Sequence, residues 1–219
     1  MDGKSQKGAF IVFEGVDGAG KGVQSRLLQQ AVSASGLDVI LTREPGGSPG
    51  AEEIRHLIVE GDADRWDDMT ELLLIYAARR SHILETIKPS ITQGTWVISD
   101  RFADSSRAFQ GVAGQLGLEV VEKIHRQVVG DFSPDLTLIL DIDPAISLQR
   151  AEARGGAEDR FEQKGLEYQS SVREGFRQLA AATPDIRKLI DASGNVEDIH
   201  RAIVEEVNNA FGVKLELQQ

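Results

Sequence analysis

Gly15, Gly18, Gly20 and Lys21 fall at the spacing G-x-x-x-x-G-K, and these residue types in this order suit the binding of phosphate. The glycines let the backbone fold back so that successive N–H groups point into one concavity at the start of a helix. The lysine adds positive charge where the last phosphates of a nucleotide would sit. Gly15, Val16, Asp17, Gly18, Ala19, Gly20, Lys21 and Gly22 are therefore the candidate nucleotide loop. One position departs from the usual pattern: Gly22 stands where a Ser or Thr hydroxyl normally meets Mg²⁺. A second group follows an apolar run further on. Asp100 offers a carboxylate that can hold Mg²⁺ through water, or else pair with a nearby arginine, and Arg101 offers a planar guanidinium fork. A third group, Arg150, Arg154 and Arg160 around Gly155-Gly156, reads either as a lid closing over phosphates or as solvated charge.

The elements that must position these groups can be read in order. Phe10 to Phe13 is apolar without alternation, as in a strand covered by helices on both faces, and a helix over about 21–35 follows the loop. Leu37 to Thr42 is a second strand, and the loop Arg43-Glu44-Pro45-Gly46-Gly47 follows it. A helix from Ala51 carries Arg55. A long helical stretch over about 69–93 carries Ile75, Arg79 and Arg80, with Pro89 placed to bend or interrupt it. Thr95 to Ser99 is a third strand that delivers Asp100 and Arg101 at its carboxyl end, where open parallel sheets bind ligands. The segment 102–117 is too polar to be core alone. A helix over about 118–129, a strand Leu136 to Asp141, a helix opened by Pro144, a helix ending near Ala182, a strand Ile186 to Ile190 and a helix over 196–211 complete the pattern. Strand and helix alternate five times, which predicts a five-stranded parallel sheet flanked by helices on both faces, an α/β fold of the P-loop class.

The 219 residues fit one domain, 1–219, with a substantial core, and the net charge of −11 argues against a protein that coats nucleic acid or an anionic membrane. There is no cysteine, which excludes disulfides, thiolate metal sites and a thiol nucleophile. The first eight residues lack the apolar core of a signal peptide, and no run is long enough to span a bilayer, so a cytoplasmic location is expected. His56, His82, His125 and His200 are scattered without metal-ligand spacing and read as structural or surface residues.

Taken together, FEGVDGAGKG, TREPGG, AEEIR, YAARR, DRFADSSRAFQG, PDLTLILD and the arginine-rich stretch resemble the thymidylate kinases in order and spacing over essentially the whole chain. D-R-[FY]-x-x-S-x-x-A-[FY]-Q-G is the most specific of these. A P-loop without arginine, together with Arg154 further on, resembles the bacterial form, whose catalytic arginine lies in the lid. The G-K-G of the loop also resembles adenylate kinases, in which other groups and water hold the metal.

The resemblance implies ATP-dependent phosphorylation of dTMP to dTDP, with Mg²⁺ as cofactor. A nucleoside monophosphate loses its second proton near pH 6, so the attacking oxygen is already mostly ionised at neutral pH. No general base is needed, and none of the usual catalytic arrangements is visible. The implied catalytic residues are Lys21, Arg101 and Arg154. Arg150 and Arg160 assist at ATP, within a mobile lid around 150–162. Asp17, Arg55, Ile75, Arg79, Arg101, Ser105 and Gln110 are implied at dTMP, with Arg79 reading the thymine edge and Asp17 near the sugar 3′-hydroxyl. Asp100 is the implied metal residue. Ile75 stands where the family often carries a phenylalanine stacked on thymine, so either the pocket makes an apolar contact there or Tyr76 turns in. A homodimer is also implied. The rival readings are a kinase for another nucleoside monophosphate and a nucleotide-binding regulatory module without turnover.

Overall fold

Alternate residues of the first strand feed two separate cores. In the computed structural model, which describes residues 7–62, 65–154 (151–154 by their helix alone) and 164–217, strand β1 is Phe10–Glu14, and each of its residues is at most 1% exposed. Ile11 and Phe13 point into one apolar cluster, and Phe10 and Val12 point into the other. A strand packed this way needs no polar alternation, which is why FIVFE reads as a continuous apolar run.

The other strands are β2 (Val39–Arg43), β3 (Trp96–Asp100), β4 (Leu136–Asp141) and β5 (Arg187–Asp191). They form one sheet in the order β2-β3-β1-β4-β5, with every neighbouring pair parallel. The expected five-stranded parallel sheet is the observed one. Helices α1 (Lys21–Ala34), α2 (Pro49–Val59) and α3 (Asp68–His82) precede β3. Next, α4 (Lys88–Thr92) leads into β3, and α5 (Ala103–Ser106), α6 (Leu118–Val128), α7 (Pro144–Arg154), α8 (Gly165–Ala182) and α9 (Val196–Phe211) come after it. The cluster beneath Ile11 and Phe13 draws on α1, α8 and α9, and the opposite one on α3 and α6.

The long helical stretch is continuous but changes pitch. Between α3 and α4 lies a π-helical turn, Ile83–Ile87, and the Lys88 N–H reaches Ile83 O, one residue further back than in an α-helix. Pro89 has no N–H to give and sits just after this turn, so the break in the hydrogen-bond ladder falls at the proline without ending the helix. A second π-helical turn, Arg107–Val112, follows α5, and it buries Ala108, Phe109, Gln110 and Gly111. The polar segment after β3 is thus mostly interior. The carboxyl ends of β1 and β3 lie side by side in the sheet, with Phe13 in register with Asp100, and that adjacency brings the glycine loop to Asp100 and Arg101.

Candidate active site

The loop after β1 is shaped by glycines in conformations other residues avoid. Gly15 (φ 134°) lies against the Leu140 backbone, and Gly18 (φ 77°) packs so tightly on Ser147 of α7 that a Cβ would run into the Ser147 carbonyl oxygen. Gly20 caps α1 in a left-handed conformation without a side-chain hydrogen bond, which leaves the helix start open to an anion. Val16 and Ala19 turn into the core. Lys21 is only 7% exposed, and its Nζ donates to Gly15 O (3.0 Å) and Val16 O (2.8 Å). Burial, and then repulsion from Arg101, lowers its pKa to about 8. This lysine is bent over the loop with its charge incompletely compensated.

Arg101 holds a left-handed backbone (φ 73°), uncommon for a residue with a Cβ, while its N–H still donates to Phe13 O at 2.8 Å. Its Nη1 donates to Gly15 O (3.2 Å) and Ser105 Oγ (2.9 Å), and its Nη2 donates to Asp17 Oδ1 (2.5 Å). The guanidinium lies 5.0 Å from the centre of the Phe109 ring. Asp100 faces the loop directly: a Cβ at Gly22 would be 3.5 Å from Asp100 Oδ2. The position lacking a hydroxyl and the carboxylate expected near the metal are therefore neighbours.

A cleft of about 140 Å³, partly open to solvent, lies between α2, α3 and the segment after β3. Asp17, Arg55, Ile75, Arg79, Arg101, Ser105 and Gln110 all line it. Arg79 is 1% exposed and held by three bonds: Nε to Glu44 Oε2 (2.7 Å), Nη1 to Ser106 Oγ (3.0 Å) and Nη2 to Phe102 O (3.0 Å). A guanidinium carries five N–H groups, so these bonds leave two more to offer. Glu44 in turn meets His82 Nδ1 (3.0 Å), and His82 Nε2 meets Thr42 Oγ1 (2.8 Å). Arg55 Nη1 donates to Pro45 O (2.6 Å), and Gln110 Nε2 to Glu71 Oε1 (2.9 Å).

Ile75 lines the cleft, whereas Tyr76 enters the core, with its Oη 3.3 Å from His125 Nδ1. Tyr76 thus does not turn in, and Ile75 gives the cleft an apolar surface at this position. The aromatic surface comes instead from Phe102 and Phe109.

Several site residues escape a reading of the sequence: Glu14, Glu44, Ser106, Phe102 and Phe109. All of them lie inside motifs quoted above, so the motifs gave the place but not the role. Ser105 and Ser106 divide their work. Ser106 accepts from Arg79, and Ser105 bridges Arg101 to Glu14 Oε2 at 2.6 Å. In the arginine-rich stretch, Arg150 is exposed and Nη1 donates to Ala192 O (3.3 Å), while Arg154 ends α7. The Arg154 side chain, Gly155, Gly156 and Arg160 lie outside the described residues. His56 pairs with Glu60 on the surface, and none of the four histidines lines the cleft. Among the described residues no group of three His, Cys, Asp or Glu is placed to hold a metal.

A family model described as thymidylate kinase matches residues 13–203. The chain is 49% identical over 207 residues to a thymidylate kinase of Caulobacter vibrioides, covering 94% of this chain and 99% of that one. It is 47% identical over 203 residues to a thymidylate kinase of Ruegeria pomeroyi, with coverages of 93% and 96%. Among solved structures, thymidylate kinase from Ehrlichia chaffeensis superposes with a TM-score of 0.75 at 32% identity, covering 92% of this chain and 99% of that one.

Proposed function

This chain belongs to the thymidylate kinase family and phosphorylates dTMP to dTDP with ATP, and we propose that ATP binds over residues 15–22 while dTMP fills the cleft beside Arg79 and Arg101. One observation carries this division. The seven residues assigned to dTMP line a single cleft, and Arg101 ties that cleft to the phosphate loop through Gly15 and Asp17.

In this reading Arg101 and Arg55 hold the dTMP phosphate. Arg79 donates to the thymine oxygen at C4, where the amino group of cytosine would meet donor with donor. Ile75, Phe102 and Phe109 enclose the ring, Gln110 and Ser105 complete the polar wall, and Asp17 lies by the 3′-hydroxyl. Lys21 exchanges the carbonyls of Gly15 and Val16 for ATP phosphate oxygens. Arg150, Arg154 and Arg160 belong to a lid over 150–162 that closes on ATP, and Arg154 neutralises charge on the transferring phosphoryl group. The chain works as one domain, 1–219.

The residues present fit Mg²⁺, which favours one or two carboxylates with retained waters and substrate phosphates over an all-protein cage. Asp100, facing Gly22, would hold it. When bound, the ion offsets phosphate charge. The protein's own part is alignment and exclusion of water, since the attacking phosphate oxygen needs no base at neutral pH.

We also assign the enzyme to the cytosol, where ATP and deoxynucleotides meet, and to a homodimer. The second assignment is supported by Leu57, Leu73 and Leu84, which are exposed on α2, α3 and the turn after α3 and which a second copy would cover. Sedimentation equilibrium with a single monomer mass would remove the dimer.

Activity is tested by assaying ATP and Mg²⁺ with dTMP, dUMP, dCMP, dAMP and dGMP in turn. Expected is dTDP formation with dTMP preferred, and dUMP lower by roughly 10- to 200-fold, because one methyl in an apolar pocket discriminates only that far. Clear preference for another monophosphate would overturn the substrate assignment, and binding without turnover would favour the regulatory reading.

A further inference from the structure

Glu14 ends β1 with its carboxylate fully buried and is not among the residues lining the dTMP cleft. Its Oε1 accepts from the Phe102 N–H (2.9 Å) and the Ser105 N–H (3.0 Å), and its Oε2 accepts from Ser105 Oγ (2.6 Å). Ser105 Oγ accepts in turn from Arg101 Nη1 (2.9 Å). A hydroxyl that gives its proton to a carboxylate turns its lone pairs outward, so Arg101 meets a strengthened acceptor. The same carboxylate thus holds both the backbone that follows Arg101 and the hydroxyl that aims its guanidinium.

We propose that Glu14 is the positioning residue for Arg101, fixing the guanidinium through Ser105 Oγ at the angle at which it receives the dTMP phosphate. This rests on the assignment of Arg101 to that phosphate. Glu14 itself touches no substrate.

The placement is costly for the fold. Burial, and then the negative charge of Asp104 on α5, raise the Glu14 pKa to about 7, against the favourable influence of Arg101 and the bonds from Ser105 and Phe102. Lys21 on α1 and Arg79 on α3 also feel its charge. Arg107, Arg187 and His125 line a second, smaller cavity together with it. A residue kept only for stability would gain by losing this charge, whereas a residue kept to aim Arg101 would not.

The test is a double-mutant cycle with E14Q, S105A and E14Q/S105A, alongside S105T, reading KM for dTMP and for ATP and the melting temperature at pH 8. Expected are rises of about tenfold in KM for dTMP for each single variant, the scale of one lost charge-assisted hydrogen bond. The double variant should be no worse than either single one. KM for ATP should stay within twofold, S105T, which retains the hydroxyl, should raise KM for dTMP less than S105A does, and E14Q should melt no lower than wild type. A double variant near 100-fold would show independent roles and overturn the relay. Parallel rises in both KM values with a lower melting temperature would reduce Glu14 to a structural part. R101A separates the two layers: an unchanged KM for dTMP removes the underlying assignment, whereas a raised one with E14Q at wild-type values removes only the relay.

Discussion

Arg79 Nε lies 2.7 Å from Glu44 Oε2, and neither side chain is more than 3% exposed. The charge assigned to read the base is therefore fixed by a carboxylate in the loop after β2 that lines the same cleft. Attraction to Arg79 and the bonds from His82 and Arg79 hold the Glu44 carboxyl below its usual range against the opposing effect of burial, so Glu44 is ionised throughout the physiological range.

Removing one partner of a buried ion pair leaves the other charge uncompensated. Glu44→Ala is expected to lower stability by about 3–5 kcal/mol, measured as the free energy of urea unfolding. The preference for dTMP over dCMP should fall with it, because Arg79 would no longer be held in one orientation.

Glu14 gives the protein a pH dependence of unusual sign for a carboxylate. Its folded pKa, about 7, lies above the ordinary glutamate value of 4.5, so between these values the folded state binds more protons than the unfolded one. Its contribution to stability is then most favourable below pH 4.5 and is lost as pH rises through 7, by an amount on the order of 3 kcal/mol. Glu14→Gln removes the titration. The stability of E14Q relative to wild type should therefore increase between pH 5 and pH 8 in thermal unfolding, and a flat difference would contradict the assigned environment.

Gly22→Ser places a hydroxyl beside Asp100. A Cβ there meets Asp100 Oδ2 at 3.5 Å and Arg26 Nη1 at 3.7 Å, which are ordinary contacts, so the variant should fold normally. Its half-saturating Mg²⁺ concentration should fall, read from turnover against total magnesium at fixed ATP, while Asp100→Asn should raise it.

Arg154→Ala should lower kcat by on the order of 10³-fold, as expected for an arginine acting on the transferring phosphoryl group. The Kd for dTMP should change little. Equal loss in kcat and in dTMP affinity would contradict a role confined to the transition state.

Much of the fold was legible because β1, β3 and β4 are apolar on both faces and the glycine loop lies between a strand and a helix. The edge strand was less so: β2 begins at Val39 rather than Leu37 and is only half-buried, which weakens the apolar signal. The π-helical turns left no local signature. That before Lys88 accompanies a proline whose position alone allows a bend, a break or a changed pitch. In the site, the residues assigned to dTMP stood out because they fall within contiguous motif blocks or, for Ile75, directly before one. Glu14 and Glu44 were not, since their partners are brought together only by the sheet: Phe102 lies 88 positions from Glu14, and Arg79 lies 35 from Glu44. Tyr76 illustrates the same limit. Spacing puts it next to Ile75, and only the packing of α3 against α6 decides that it faces the core.

The most direct test of the two-pocket assignment is a crystal structure of the protein with dTMP bound. Expected is the phosphate on Arg101 and Arg55, with the thymine C4 oxygen within hydrogen-bond distance of Arg79 and the ring against Ile75 and Phe109. A dTMP phosphate seated instead on the backbone of Gly18 to Lys21, with the Arg79 cleft empty, would contradict it.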